Sequence, residues 1–127
     1  MTARISSGGP WEDAVGYSRA VVAGPWVLVA GSTSTVDGEV RHEGDAYAQT
    51  LEAFGVVRRA LERAGLSLDD VVRTRMYVKD IHDSTAVGRA HSELFDHVRP
   101  AATMVEVSGF IDPRMLVEVE ADAYREP

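Results

Sequence analysis

At 127 residues the chain is too short for two domains and long enough for one with a buried core. Apolar residues make up 45% and charged residues 26%, ordinary for a soluble globular protein, and no apolar run approaches the roughly 20 residues of a membrane-spanning helix. The absence of cysteine excludes disulfides, thiolate metal sites and cysteine nucleophiles, while the net charge of −7 repels polyanions and disfavours nucleic acid as a partner.

The segment Met1 to Pro10 lacks the basic-then-apolar layout of a signal peptide, so a cytoplasmic location is expected. With no internal repeat or linker, residues 1–127 read as a single domain. Tyr17 to Val22 has strand character and runs into the turn signal Ala23-Gly24-Pro25. Trp26 to Ala30 is a nearly continuous apolar run, the pattern of a strand covered on both sides. Asp37-Gly38 is a hairpin signal. From Asp45 to Ala64 the period becomes helical, with Leu51, Phe54, Val57, Leu61 and Ala64 on one stripe and Gly65 placed to cap it.

Leu68 to Val72 then re-enters the core, and Arg73 to Lys79 reads as a strand. Asp83 or Ser84 caps a second helix whose inward side carries Val87, Ala90 or His91, Leu94, Phe95 and Val98, and Pro100 ends it. Thr103 to Val107 and Leu116 to Ala123 are two further alternating strands. The order strand, strand, helix, strand, helix, strand, strand predicts an α+β fold: a single mixed sheet with both helices on one face. Alternation places Val72, Thr74, Met76 and Val78 towards the helices, and Arg73, Arg75, Tyr77 and Lys79 away from them. In the last strand Val117, Val119 and Ala121 oppose Glu118, Glu120 and Asp122. The helix-free face is therefore charged, which suits solvent or an ion-paired interior between subunits. The four histidines, His42, His82, His91 and His97, form no close metal-binding motif and read as solvated surface groups, so no metal is expected.

Several short pieces then line up in order and spacing: Gly16-Tyr17-Ser18, Val29-Ala30-Gly31-Ser32, Ala64-Gly65-Leu66, Asp70-Val71-Val72 and Val78-Lys79-Asp80-Ile81. They continue through Arg99-Pro100-Ala101-Ala102-Thr103-Met104-Val105-Glu106-Val107 and end in Val117-Glu118-Val119-Glu120-Ala121. Together they resemble the YjgF/RidA family along almost the whole chain. The resemblance implies a chorismate-mutase-like fold assembled as a homotrimer, with the sheets inside, the helices outside and clefts between subunits. It implies hydrolysis of reactive enamines and imines to a carbonyl compound and ammonia, without metal or organic cofactor.

Carried over position by position, the resemblance matches Tyr17 to the tyrosine of the cleft, Gly31 and Ser32 to its lining turn, and Glu118 to the glutamate that orients water. Ala102 stands where the family has a carboxylate-binding arginine, beside Thr103 and Met104, and Gly88 stands where an asparagine is frequent. The substrate expected is therefore an imine or enamine other than the usual small 2-imino acid. Arg75 is the first candidate to replace the arginine and Arg99 the second. Structural readings stand beside these: Arg75 paired with Glu118, Glu120 or Glu106, Glu118 as an ion-pair partner between subunits, Tyr17 as a packing residue, and Gly31 as a place where no side chain fits. The alternative function is a trimer of the same family that binds a small metabolite without turnover.

Overall fold

In the computed structural model, which describes residues 2–127, alternation sets the strands and a 3.6-residue period sets the long helices. The strands of the main sheet are β1 (Thr2–Ile5), β2 (Ala20–Ala23), β3 (Trp26–Ser32), β6 (Val71–Val78), β7 (Ala101–Glu106) and β8 (Val117–Tyr124). A separate hairpin joins β4 (Thr35–Val36) to β5 (Glu39–Val40). The helices are α1 (Pro10–Val15), α2 (Ala46–Arg63) and α3 (Ser84–Phe95). The sheet runs β1-β2-β3-β8-β6-β7, and every pair is antiparallel except β6 with β7, the two strands joined through α3. The predicted α+β architecture, a mixed sheet with the two long helices on one face, is the one observed.

Local chemistry explains the punctuation. The Asp45 side chain accepts the Ala48 N–H at 3.0 Å and starts α2. At the other end Gly65 adopts φ 80°, and the Leu66 N–H closes back on the Leu61 carbonyl at 2.9 Å, which turns Leu66 into the core. In the hairpin, Asp37 and Gly38 take φ of 52° and 79°, the left-handed pair that a two-residue turn needs.

The core lies between the helices and one sheet face. Phe54 of α2 meets Phe95 of α3 edge to face at 5.1 Å, and both belong to one buried cluster with Met76, Val78, Val117 and Val119 of the sheet. Ala53 and Ala60, both fully or nearly buried, let α2 lie close on the strands. Gln49 is fully buried too, and it is satisfied. Its amide donates to the Arg114 carbonyl at 2.9 Å and to the His42 carbonyl at 3.3 Å, and its oxygen accepts the Leu116 N–H at 2.8 Å.

Five expectations are corrected. The first predicted strand begins at Ala20 rather than Tyr17, and β1 and α1 precede it. The run Trp26 to Ala30 is covered on one side only: Val27 and Val29 are buried, whereas Trp26 and Leu28 are each 44% exposed. A register shift between Val71 and Arg73 leaves Val72 exposed and puts Val71 in the core in its place. Asp83 precedes α3 without a side-chain cap. His91 is not a solvated surface group: its ring packs 4.7 Å from Phe95 and 5.7 Å from Phe54, and its Nε2 bonds the Oγ1 of the buried Thr74 at 2.8 Å. Burial lowers its pKa below the usual histidine value.

Candidate functional site

The side chains of interest gather on the helix-free face, where β3 meets β8. The pairing of Val29 with Ala121 and of Ser32 with Val119 leaves Ala30 and Gly31 opposite the single residue Glu120. This is a β-bulge, a device that bends a strand and re-aims its groups. At the bulge the Glu118 carboxyl lies against Gly31, in the space that a Cβ on that residue would fill. A side chain at this position would displace that carboxyl, so glycine is favoured there by contact and not by backbone angle.

The second group at the site is Arg19, just before β2 and across from Ala30, whose N–H bonds the Arg19 carbonyl at 2.9 Å. Its Nη1 donates to the Gly31 carbonyl at 2.6 Å, to Ser32 Oγ at 3.0 Å and to the Ala30 carbonyl at 3.4 Å. Its Nη2 donates to the Tyr17 hydroxyl at 3.3 Å, and the guanidinium carbon stands 5.6 Å from the centre of the Tyr17 ring. One arginine thus ties the N-terminal segment to the bulge. Its Nε is buried and has no hydrogen-bond partner among the described residues.

Electrostatics make Glu118 the unusual acid. Burial raises its pKa above the ordinary carboxylic value, the neighbouring Glu120 raises it further, and Arg19 partly opposes both. The other acids of the face are engaged. Glu120 accepts the Tyr77 hydroxyl at 2.6 Å and lies 3.8 Å from Arg75, while Asp122 accepts Arg75 Nη1 at 3.2 Å. Glu120 in turn raises the Tyr77 pKa through that hydrogen bond. Among the described residues Glu118 makes no ion pair closer than 4 Å.

Of the nine residues singled out in the sequence, Glu118, Gly31, Ser32 and Tyr17 come together, through Arg19. The other five do not join them within one subunit. Arg75 spans Glu120 and Asp122 and leaves Glu118 alone. Arg99 lies in the turn after α3 at φ 58° and is held by Asp96, through the backbone carbonyl at 2.9 Å and the carboxylate at 2.8 Å. Ala102 and Met104 pair with Thr74 and Met76 and share their helix-side face, and Met104 packs on the core. Thr103 shares a face with Glu118 but sits on the far strand β7, in register with Arg75. Arg19 escaped the sequence reading because its strand is short and its neighbours apolar. The signal for it was the strand period itself, which puts Arg19 on the face opposite the buried Ala20. Among the described residues no three His, Asp or Glu side chains gather as a metal site would require, and no helix is long and apolar enough to cross a membrane.

A bulged antiparallel pair that sets a raised-pKa carboxyl beside a guanidinium defines a small α+β protein with a polar site on its open sheet face. The chain belongs to the family described as endoribonuclease L-PSP, which it matches over residues 11–125. A solved structure of a Mycobacterium tuberculosis protein, described as a member of the highly conserved YjgF/YER057c/UK114 family, superposes with a TM-score of 0.89 at 48% identity, covering 98% of this chain and 99% of that one. An uncharacterised protein of Streptomyces coelicolor is 50% identical over 122 residues, 96% of this chain and 91% of its own. The 3-aminoacrylate deaminase RutC of Acinetobacter baylyi is 34% identical over 88 residues, 69% of each chain.

Proposed function

We propose that the protein is a deaminase of reactive imines and enamines, acting without metal or organic cofactor, with Glu118 as its acid–base group in a homotrimer. The observation that carries this reading is the Glu118 carboxyl, half-buried over Gly31 with its pKa raised and no cation bound to it. An acid whose pKa is lifted towards the working pH can both give and accept a proton, which a freely solvated carboxylate does poorly. A RutC relative described as a 3-aminoacrylate deaminase supports the reaction class.

The chemistry asks little more of the site. Protonated Glu118 gives its proton to the enamine carbon, which forms the iminium ion. Water then adds to the C=N carbon while the Glu118 carboxylate takes its proton, and the same carboxyl passes that proton to nitrogen. Collapse of the carbinolamine expels ammonia as the hydroxyl proton returns to Glu118 and the C=O group forms, so one water enters and one ammonia departs. Tyr17, Ser32 and the Gly31 turn form the near wall. Thr103, which shares the open face but does not reach Glu118 within the subunit, contributes to the pocket from a neighbouring copy, and the free charged face becomes shared interior. Arg75 serves the Glu120–Asp122 network.

The test supplies imines in situ from an amino-acid oxidase, or the enamine from threonine dehydratase, and follows ammonia and carbonyl release. The protein is expected to accelerate release, and Glu118→Gln to lose about 100-fold or more of that acceleration. No acceleration with any amino acid would remove the reading. Ligand binding that survives in a protein without turnover would instead mark a metabolite-binding trimer.

A further inference from the structure

We infer that Glu120, clamped by Tyr77 and Arg75, is a positioning residue for the proton of this site: it is held as the standing anion of a carboxyl pair, which leaves Glu118 as the member that carries and gives up the proton. The inference deepens the deaminase reading and rests on it for what the proton does, but it is carried by the unequal surroundings of two identical side chains. Glu118 and Glu120 stand two residues apart on β8 and so share the open face. On the adjoining β6, Tyr77 lies opposite Glu118 and Arg75 opposite Glu120. The Tyr77 hydroxyl passes over its own cross-strand partner and donates diagonally to Glu120 at 2.6 Å. Arg75 lies 3.8 Å from Glu120 and 3.2 Å from Asp122.

Both contacts go to one acid. A donor and a cation favour the charged form of the carboxyl they touch, and an anion fixed in place disfavours a second charge beside it. The other groups around Glu118 do not even the balance. Lys79, the next open-face residue of β6, turns to the Pro113 carbonyl at 3.4 Å. Arg19, on the bulge side, opposes the effect of Glu120, but its Nη1 donates to Gly31 and Ser32 and its Nη2 to Tyr17. The bulge itself presents only Gly31 and Ser32, which do not titrate. When neighbours push two like acids apart in this way, the roles of acid and standing charge are assigned between them.

Two variants separate charge from shape. Glu120→Gln keeps the size of the side chain and a carbonyl that still accepts from Tyr77, so it removes the charge alone. Tyr77→Phe removes the donor and keeps the charge. The carboxyl groups of residues 118 and 120 are followed by carbon-13 NMR against pH in the assembled protein. Keto-acid release from the enamine supplied by threonine dehydratase is followed over the same range. In wild type Glu118 should titrate above Glu120. In Glu120→Gln the Glu118 midpoint should move to lower pH and the alkaline fall of the rate should move with it, a loss of about three- to tenfold at pH 8. In Tyr77→Phe the proton should spread over both carboxyls, so that each titrates in two steps. If the glutamine variant does not fold, Tyr77→Phe decides, and a Glu118 titration unchanged from wild type would overturn the pairing. So would a Glu118 midpoint unmoved in Glu120→Gln, or a rate loss equal at every pH, which is the mark of a mere brace. A Glu118 midpoint that follows Glu120, in a protein that turns over no enamine, would retire the deaminase reading and leave the pairing standing.

Discussion

Glu118 holds its acid where ionisation is disfavoured, and that has a consequence for stability as well as for chemistry. Its pKa in the folded chain lies above the 4.5 of a free glutamate. Between those two values the folded state keeps a proton that the unfolded chain has lost, so stability falls as pH rises through that window. Glu118→Gln cannot ionise. Thermal unfolding should therefore show the variant melting above wild type at pH 7 to 8, with the gap closing near pH 4, while activity is lost. A variant that melts lower at neutral pH would contradict the raised pKa. Gly31 supplies the complementary test. In Gly31→Ala the new methyl meets the end of a flexible side chain and not backbone, so the Glu118 carboxyl swings aside at small cost. The melting temperature should move little, and turnover should fall about 100-fold, as misplacement of a reacting group does. The preference for glycine at this position was legible in the sequence. Its cause was not, because the group that fills the space comes from a strand 87 positions later in the chain.

At the scale of elements, the site depends on how β8 is held in register. Gln49 of α2 grips the chain on either side of Met115, through the Arg114 carbonyl and the Leu116 N–H, just before β8 begins. Gln49→Leu would fill the same volume and leave those two backbone groups unpaired, at about 1–3 kcal/mol for each buried orphan. Equilibrium unfolding in urea should show that loss, and hydrogen exchange should rise at Leu116 ahead of the rest of the strand. The helices themselves were plain from periodicity and capping, since those signals are local. Bulges were not. The shifts at Val71–Arg73 and Ala30–Gly31 exist only as a relation between two strands, and no pattern within either strand records them.

For the whole molecule, the open sheet face is the feature that one subunit leaves unresolved. Trp26 and Leu28, each 44% exposed, and Val105, 43% exposed, lie on it among Glu118, Glu120, Asp122 and Arg75. Apolar groups set among charged ones on a sheet face suit burial against further copies. Light scattering at micromolar concentration should give about three times the mass of the chain, in keeping with the homotrimer proposed above. Leu28→Asp, which adds a fourth acid beside Asp122, should break the assembly and turnover together. A wild-type monomer that is fully active would refute the shared-pocket reading.

What the sequence determined by itself was the layer order and the charged face, while Glu118, Gly31 and Tyr17 were grouped only by the family resemblance. Each of these follows from a period of 2 or 3.6 or from short motifs in fixed order, and such signals act within one element. Only the tertiary structure decided which cation stands beside the acid. Arg19, Arg75 and Arg99 are equally basic on paper, and their roles separate only when the fold brings the Gly31 bulge to the first, Asp122 to the second and Asp96 to the third. Charge is a property of the residue, but the availability of charge is a property of its neighbours in space.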